Sequence, residues 1–176
     1  MRDFQGSVTA DNGGMQHNFI ANQSTTALAG QTIDVLDPSD GQVFEQIPRS
    51  QAADIDAAVQ AARAAFNGPW GKLTAVERGR LLMKLSQKVS EHAAELAALE
   101  QRDCGKPTKQ AAADSVALAR YFEFYAGACD KLHGETLPYQ NGYSVLTWRE
   151  PHGVTGHVIP WNYPMQIFGR SVGGAL

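Results

Sequence analysis

The sequence predicts an α/β fold, and three observations support this. Segments with alternating apolar and polar residues between residues 19 and 48 favour β hairpins, apolar residues at helical spacing follow, and a strand–turn–helix pattern ends the chain. A strand followed directly by a helix is how a parallel sheet with flanking helices begins. Because a doubly wound sheet needs several such units and only one is present, we expect the chain to be part of a longer protein.

Composition and charge narrow the functional classes. The 176 residues include 43% hydrophobic and 19% charged residues, a balance typical of a globular domain with a core. The net charge of -3 comes with no basic stripe, so a nucleic-acid partner is not expected. No apolar run approaches the about 20 residues of a membrane helix, and the first residues contain no apolar signal region. We therefore expect a cytoplasmic protein without a membrane or nucleic-acid partner.

Cysteine and histidine content argues against a metal site. The two cysteines are too few for a disulfide framework or a four-ligand zinc site, and the five histidines are scattered. Cys104 precedes Lys106, and because a nearby cation lowers the pKa of a thiol, a nucleophilic role stays open. Its position at the end of a predicted helix disfavours a thiolate, which makes structural packing the alternative. Cys129 lies on a predicted apolar helix face and is expected to pack in the core.

The first 48 residues divide into a leader and β structure. Residues 1–18 are polar and rich in Gly and Asn, which predicts a flexible leader. "TIDVLD" and "QVFEQI" alternate on either side of "DPSDG", where Pro38 fixes φ and Gly41 permits a positive φ. Residues 19–48 therefore predict one or two hairpins.

Helices follow over most of the next 80 residues. One is predicted over 51–67, with a buried face that comprises Ile55, Ala58, Val59, Ala62 and Phe66. Thr74 and Glu77 have capping-box spacing and start a second helix, with Leu82, Leu85 and Val89 on its apolar face, a break or bend expected at "VSEH", and an end at Gly105. A third covers about 109–131, and its predicted face comprises Val116, Ala119, Phe122, Ala126, Cys129 and Leu132.

The last part of the chain predicts two strands, "YSVLTWRE" and "GVTGHVI", and a final helix with Pro164 in its first turn. The predicted buried face of that helix comprises Met165, Phe168, Val172 and Leu176. Asn162 lies between strand and helix. It either caps the helix or builds the turn, or it presents an amide donor to a developing oxyanion, a role worth roughly 3 kcal/mol. Its place at the carboxyl end of a strand, between the stiff residues Pro160 and Pro164, favours the donor role.

Six segments, in order, resemble one enzyme family. They are "DVLDPSDGQVFEQIP", "DIDAAVQAARAAF", "ERGRLLMKLSQ", "LAALEQRDCGKP", "YFEFYAGACDKLHGETLP" and "EPHGVTGHVIPWNYP", and together they span about residues 19–176. They are similar to segments of the NAD(P)-dependent aldehyde dehydrogenase superfamily. The resemblance implies the amino-terminal part of that fold, an incomplete Rossmann-like cofactor-binding domain with a β excursion for oligomerisation. Its implied divisions are 19–132 for the first part of the cofactor-binding domain, 133–151 for the oligomerisation strand segment, and 152–176 for the first strand–loop–helix of the dinucleotide-binding sheet.

The resemblance also implies residue roles. Asn162 matches the family Asn whose side-chain amide stabilises the oxyanion of a thiohemiacetal formed on a catalytic Cys. The cleft for NAD or NADP is lined in the family by the segment that matches Ile159, Pro160, Trp161 and Asn162. The family's nucleophilic Cys and general-base Glu lie downstream and have no match here, and Cys104 does not match the nucleophile's motif. Arg170 and Ser171 stand where many members have Trp-Lys.

These implications give one expected function and one alternative. We expect the amino-terminal part of an enzyme that oxidises an aldehyde to a carboxylic acid with NAD or NADP, a homodimer or homotetramer at full length, and inactive as these 176 residues alone. The alternative is a truncated, non-catalytic oligomerisation or binding module that uses an exposed strand at 143–149. In the family, the face formed by Tyr163, Ile167 and Arg170 lines the substrate tunnel. Arg170 there either pairs with a substrate carboxylate or is simply solvated.

Overall fold

A computed structural model of the chain describes residues 15–176. Residues 1–14 of the predicted leader lie outside this range. In chain order the elements are β1 (Asn18–Ile20), β2 (Gln23–Thr25), β3 (Thr32–Leu36), β4 (Val43–Pro48), α1 (Ala52–Asn67), α2 (Ala75–Glu91), α3 (Ala93–Cys104), α4 (Thr108–Ala128), β5 (Thr136–Leu137), β6 (Val145–Leu146) and α5 (Pro164–Ala175). The chain forms two compact units that divide between Ala58 and Val59. The expected divisions at 132 and 151 both fall inside the second unit.

The first unit contains two antiparallel hairpins, as the alternating segments predict. Strand β1 pairs with β2, and β3 pairs with β4 with Ile33 opposite Ile47. The turn between β3 and β4 uses Gly41 at a φ of +71°, and the Gly41 N–H donates to the carbonyl of Asp37 at 2.7 Å. The N–H of Gln16 donates to the carbonyl of Gln46 at 2.8 Å. The hydrogen-bonded β structure thus begins inside the segment predicted as leader.

Helix α1 lies where the sequence predicts it, but its buried face is different. Asp54 is only 4% exposed, and its carboxylate accepts hydrogen bonds from the N–H groups of Gln51 and Leu28, both at 2.8 Å. These two hydrogen bonds hold the pKa of Asp54 below its usual value, and the bond from Gln51 has the larger effect. Ile55 is 58% exposed and Ala62 is also exposed. Because successive helical residues are rotated by about 100°, burying Asp54 turns Ile55 away from the interior.

In the second unit, local signals set the ends of α2 and α3. The Thr74 hydroxyl accepts from the Glu77 N–H at 3.3 Å, and the Glu77 carboxylate accepts from the Thr74 N–H at 2.8 Å, so the predicted capping box is confirmed. The expected break is also confirmed, since α2 ends at Glu91 and α3 begins at Ala93. Helix α3 ends at Gly105, which has a φ of +66° in the left-handed region.

Helix α4 lies at the centre of the second unit and packs against α2, α3 and α5. The core comprises Leu82, Val89, Leu118, Ala119, Phe122 and Met165, and Ala126 and Cys129 pack against it. The predicted face of α4 is therefore right for Ala119, Phe122, Ala126 and Cys129. It is wrong for Val116 and Leu132, which are 59% and 76% exposed. With helices on several sides, α4 buries a wider face that includes Ala111, Asp114, Ser115 and Leu118, while Leu132 lies beyond its end.

Two further predicted faces need correction. Leu85 of α2 is 37% exposed, whereas Ser86 is buried and donates its hydroxyl to the carbonyl of Ala119 at 2.8 Å. On α5, Met165 is buried as predicted, but Phe168 and Leu176 are 42% and 40% exposed. Aromatic side chains of α4 lie over the glycines at 169 and 173 instead, so the buried face follows the spacing 165, 169 and 173. Within residues 15–176, no helix is both long and apolar enough to cross a bilayer.

The hairpin of β5 and β6 precedes an extended segment that leads into α5. The first predicted strand is shorter than expected: Val145–Leu146 pairs with Thr136–Leu137, and the Thr147 N–H also donates to the carbonyl of Glu135 at 2.8 Å. The prediction of a strand over 153–159 is wrong, because that segment pairs with no strand of residues 15–176. A strand exists by exchanging hydrogen bonds with a neighbour, which its own sequence does not supply. His157 ties the segment to α5, since its ring nitrogens contact the hydroxyls of Thr155, at 2.9 Å, and Ser171.

Candidate functional site

The end of the extended segment and the first turns of α5 form an open pocket of about 420 Å³. Its lining comprises Gln110, Pro160, Asn162, Tyr163, Gln166, Ile167 and Arg170. Five of the residues singled out in the sequence therefore meet at one place. Ile159 and Trp161 do not line this pocket.

Asn162 lies in the turn before α5, is exposed, and lines the pocket. The N-cap residue of α5 is Tyr163, and no side chain caps this helix, so a capping role for Asn162 is ruled out. Among residues 15–176, the Asn162 carboxamide has no hydrogen-bond partner. The turn role and the donor role are therefore compatible: the backbone forms the turn, and the N–H groups of the amide stay available to a ligand.

Arg170 reaches the same pocket from the second turn of α5. Its Nε donates to the hydroxyl of Tyr121 at 2.6 Å, and Nη2 donates to Oε1 of Gln166 at 3.0 Å. The guanidinium carbon also lies 5.2 Å from the centroid of the Tyr121 ring. A guanidinium has five N–H donors, so the contacts with the described residues leave three for a ligand. The Tyr121 and Gln166 contacts fix the plane of the group while its outer edge stays exposed.

Below the pocket lies a buried ionic cluster. The ammonium of Lys106 contacts the carboxylates of Asp114, at 2.6 Å, and Glu100, and the exposed fractions of the three side chains are 7%, 0% and 2%. Asp114 also accepts from the side-chain amides of Gln110 at 2.7 Å and Gln166 at 2.6 Å. Since both amides line the pocket, the cluster supports its floor from the inside.

The three ionisable groups of this cluster respond differently to burial. Burial raises the pKa of Glu100 and outweighs the attraction of Lys106, and the Oε2 atom of Glu100 has no hydrogen-bond partner among the described residues. Burial opposes the charge of Asp114, but the hydrogen bonds from Lys106, Gln166 and Gln110 outweigh it and hold the pKa of Asp114 below its usual value. Burial also opposes the charge of Lys106, yet its bonds to Asp114 and Glu100 raise its pKa. Lys106 and Asp114 therefore form the ion pair, and Glu100 is the carboxyl that takes up a proton first.

The two cysteines are not arranged as nucleophiles. The thiol of Cys104 donates to the carbonyl of Trp161 at 3.0 Å. Burial, together with the negative charges of Asp103 and Glu100, raises the pKa of Cys104 and outweighs the effect of Lys106. Because the thiolate is the nucleophile, this environment favours the structural role. Cys129 packs against the core, as predicted, and its thiol donates to the carbonyl of Tyr125 at 3.2 Å.

Sequence reasoning missed most of the residues that support the pocket. In the sequence, Lys106 and Asp114 look like ordinary surface charges, because charged residues are rarely buried unless paired. One weak signal was present: Gln110 and Asp114 have the i, i+4 spacing of a helical hydrogen-bonded pair. No sequence pattern indicated that Glu100, Lys106 and Gln166 would join them, since they come from separate elements that meet only when the helices pack.

The chain resembles known proteins in both sequence and structure. A family model described as "Aldehyde dehydrogenase family" matches residues 25–176. The mitochondrial aldehyde dehydrogenase family 2 member B4 of Arabidopsis thaliana is 45% identical over 152 residues, which is 85% of this chain and 28% of that protein. A solved structure of a putative aldehyde dehydrogenase from Burkholderia cenocepacia has 68% identity and a TM-score of 0.87, over 89% of this chain and 33% of that one. A Bacillus cereus aldehyde dehydrogenase solved as an NAD+ complex has 37% identity and a TM-score of 0.91, over 98% and 36%.

These matches confirm the predicted fold class. The chain adopts the α/β arrangement found in part of solved aldehyde dehydrogenases, here with small antiparallel sheets. It spans about a third of the length of the relatives it matches.

Proposed function

Because this chain belongs to the aldehyde dehydrogenase family, we propose that it supplies the oxyanion-binding side of a site that oxidises an aldehyde to a carboxylic acid with NAD(P). The observation that carries this proposal is Asn162, which lines an open pocket and whose carboxamide has no hydrogen-bond partner among residues 15–176. A free amide donor at a rigid turn is what a developing oxyanion needs, because such a donor requires no rearrangement when negative charge appears. Pro160 and Pro164 limit the backbone on both sides of that turn.

In this proposal the chain contributes a donor rather than the nucleophile. A thiolate from outside these residues adds to the aldehyde carbon, and the resulting thiohemiacetal oxygen accepts a hydrogen bond from Asn162. Neither cysteine of the chain serves as that thiolate, because Cys104 is bonded to Trp161 and Cys129 packs against the core. We therefore expect no aldehyde oxidation by the 176 residues alone.

The cofactor is proposed to lie against the extended segment that precedes Asn162. Val158 and Trp161 are 97% and 79% exposed, and the backbone of this segment forms no β ladder within residues 15–176. Exposed apolar side chains and backbone groups outside any β ladder are available to a bound dinucleotide, which needs apolar contact and a few polar partners. Ile159, Pro160, Trp161 and Asn162 would line that side of NAD(P), which when bound accepts the hydride of the substrate.

The free donors of Arg170 point to the substrate class. A carboxylate pairs well with the edge of a guanidinium, and Tyr163 and Ile167 supply apolar contact between Arg170 and Asn162 in the same pocket. We propose that the preferred aldehyde carries a carboxylate at its far end. In a full-length chimera with a relative, Arg170→Leu should raise KM for an acidic aldehyde much more than for a neutral one of equal length. Equal effects on both aldehydes would mean that Arg170 is only solvated.

A chimera tests the catalytic proposal directly. Residues 1–176 would be joined to the remaining part of the Burkholderia cenocepacia relative, and NAD(P) reduction would be followed with each cofactor. Asn162→Ala should lower kcat by about 100-fold or more, the usual effect of removing one oxyanion donor. Asn141→Ala serves as the control, because Asn141 is exposed and lies outside the pocket lining. Unchanged kcat in Asn162→Ala, in a chimera that folds, would reject the proposed role.

A non-catalytic role in assembly is the second candidate, and the β5–β6 hairpin favours it. Leu146, Tyr143 and Trp148 are between 64% and 83% exposed. Exposed apolar side chains beside a short sheet edge can recruit a second chain. We propose that this hairpin also contributes to a homodimer or homotetramer of the full-length protein. Sedimentation of the purified chain that shows a monomer at every concentration would remove this candidate.

A cytoplasmic location also stays a prediction, since the Arabidopsis relative carries "mitochondrial" in its name.

A further inference from the structure

The turn between α3 and α4 contacts the residues on both sides of Asn162. The thiol of Cys104 donates to the carbonyl of Trp161 at 3.0 Å. Two residues later, the ammonium of Lys106 lies 4.4 Å from the centroid of the Tyr163 ring. One short turn thus touches the residue before Asn162 and the residue after it.

The shape of this turn depends on its central residue. Gly105 has a φ of +66°, a left-handed conformation that side chains other than glycine rarely adopt. This left-handed residue ends α3, and the side chains of Cys104 and Lys106 on either side of it both reach the loop that contains Asn162. Helix α3 ends and the turn to α4 begins at Gly105, so the residues that contact Trp161 and Tyr163 are held in place by the end of a helix.

The position of the Lys106 ammonium is itself fixed from three helices. Asp114 of α4 and Glu100 of α3 accept its hydrogen bonds, and Gln166 of α5 donates to Asp114 at 2.6 Å. The ammonium cannot move away from Tyr163 without leaving the charge of Asp114 uncompensated in the interior. A charge that is buried and paired in this way holds a defined place, unlike a lysine on the surface.

Stability alone does not explain this cluster. Replacing a buried ion pair by apolar residues of similar volume often leaves a protein as stable or makes it more stable. A cation over an aromatic ring, in contrast, sets the orientation of that ring, because the attraction depends on the ring face. The ionic cluster thus accounts for the placement of Tyr163 better than it accounts for folding.

We propose that the Cys104–Gly105–Lys106 turn is a clamp that positions Asn162, with Lys106 and Cys104 as positioning residues. The clamp fixes Trp161 and Tyr163, and the carboxamide between them is held toward the pocket without being bonded itself. This inference rests on the proposed role of Asn162 as the oxyanion donor, but the clamp can be measured without aldehyde or cofactor.

Backbone order by NMR relaxation of the ¹⁵N-labelled 176-residue chain tests the clamp. In the unaltered chain, residues 161–163 should have order parameters near those of α4, about 0.85, and in Lys106→Met they should fall below about 0.6. Lys109→Met is the matched control, because Lys109 is an exposed lysine three residues along the chain. Lys106→Arg keeps the cation and should restore order at Tyr163. Unchanged order at 161–163 in a folded Lys106→Met chain would overturn the role of Lys106.

A second pair of variants keeps the test decisive if Lys106→Met does not fold. Cys104→Ala removes only the thiol contact and should lower the order parameter of Trp161. Tyr163→Leu removes the aromatic face and should lower the order of Asn162, while residues 115–125 of α4 keep theirs. If both folded variants retain full order at 161–163, the clamp does not exist. Absence of the clamp would not change the kcat loss expected for Asn162→Ala. If Asn162 is not an oxyanion donor, the order parameters expected here would still be found. A failure of the clamp and a failure of the proposed role of Asn162 are therefore distinguishable.

Discussion

The buried ion pair of Lys106 and Asp114 has an exposed counterpart in the same chain, and the two should respond very differently to the same chemical change. Lys106 and Asp114 are joined by an N–O distance of 2.6 Å, and so are Lys88 and Glu91. The first pair has side-chain exposures of 7% and 0%, and the second has exposures of 69% and 58%. The perturbation is Asp114→Asn in one variant and Glu91→Gln in the other, which removes one negative charge in each case without a large change in volume.

Because the distance is the same, solvent decides the magnitude. Breaking a buried pair by removing one partner usually costs about 3–5 kcal/mol, since the other charge is left uncompensated in the interior. An exposed pair contributes only about 0.2–1 kcal/mol. In Asp114→Asn, Glu100 can ionise and serve as the counter-charge of Lys106, so we expect a cost near the lower end, about 3 kcal/mol. In Glu91→Gln, we expect almost no change in stability, because solvent screens the exposed pair.

Urea unfolding followed by circular dichroism at 222 nm measures both variants, because helices α2 to α5 lie in the unit that holds both pairs. With a slope of about 1.5–2 kcal/mol per molar urea, Asp114→Asn should lower the midpoint by about 1.5–2 M, and Glu91→Gln should shift it by less than about 0.3 M. Equal shifts in the two variants would refute the reasoning, since they would mean that burial adds nothing to the pair.

Two further predictions concern helix packing and pH. Gly79→Ala should lower the free energy of unfolding by about 1–2 kcal/mol although alanine favours helix, because the new Cβ would lie 2.6 Å from the carbonyl oxygen of Ala126. Gly127→Ala is the control: its new Cβ meets nothing within 4 Å, so this variant should be neutral or stabilising. Urea midpoints that shift equally in the two variants would contradict this. Glu100→Gln should become more stable relative to the unaltered chain as pH rises. The raised pKa of Glu100 means that the folded chain binds a proton more tightly than the unfolded chain, so stability is lost as pH rises from about 4.5 through the folded pKa, and glutamine cannot show this loss. Urea titrations between about pH 4.5 and pH 8 that give a constant difference would contradict it.

Much of the local structure could be predicted because its causes lie close together in sequence. The capping box of Thr74 and Glu77 and the left-handed Gly105 depend on groups within a few residues, and both are present in the structure. Asn162 could be singled out for the same reason, since its place between two prolines is visible in the sequence. The predicted helix faces were less accurate, as Val116 shows, because the exposure of a side chain depends on which neighbours pack around the helix.

The sequence by itself determined where α2 begins and where α3 ends, the turn that contains Asn162, and the family to which the chain belongs. Hydrogen bonding at helix ends and the φ preferences of Gly and Pro act over a few residues, so they can be read from a single segment. Only the tertiary structure decided that Lys106 is buried against Asp114 and Glu100 and lies over Tyr163. Burial raises the free energy of a charge unless its partners are in place, and the charge partners of Lys106 come from two helices, α3 and α4, that meet only in the folded chain.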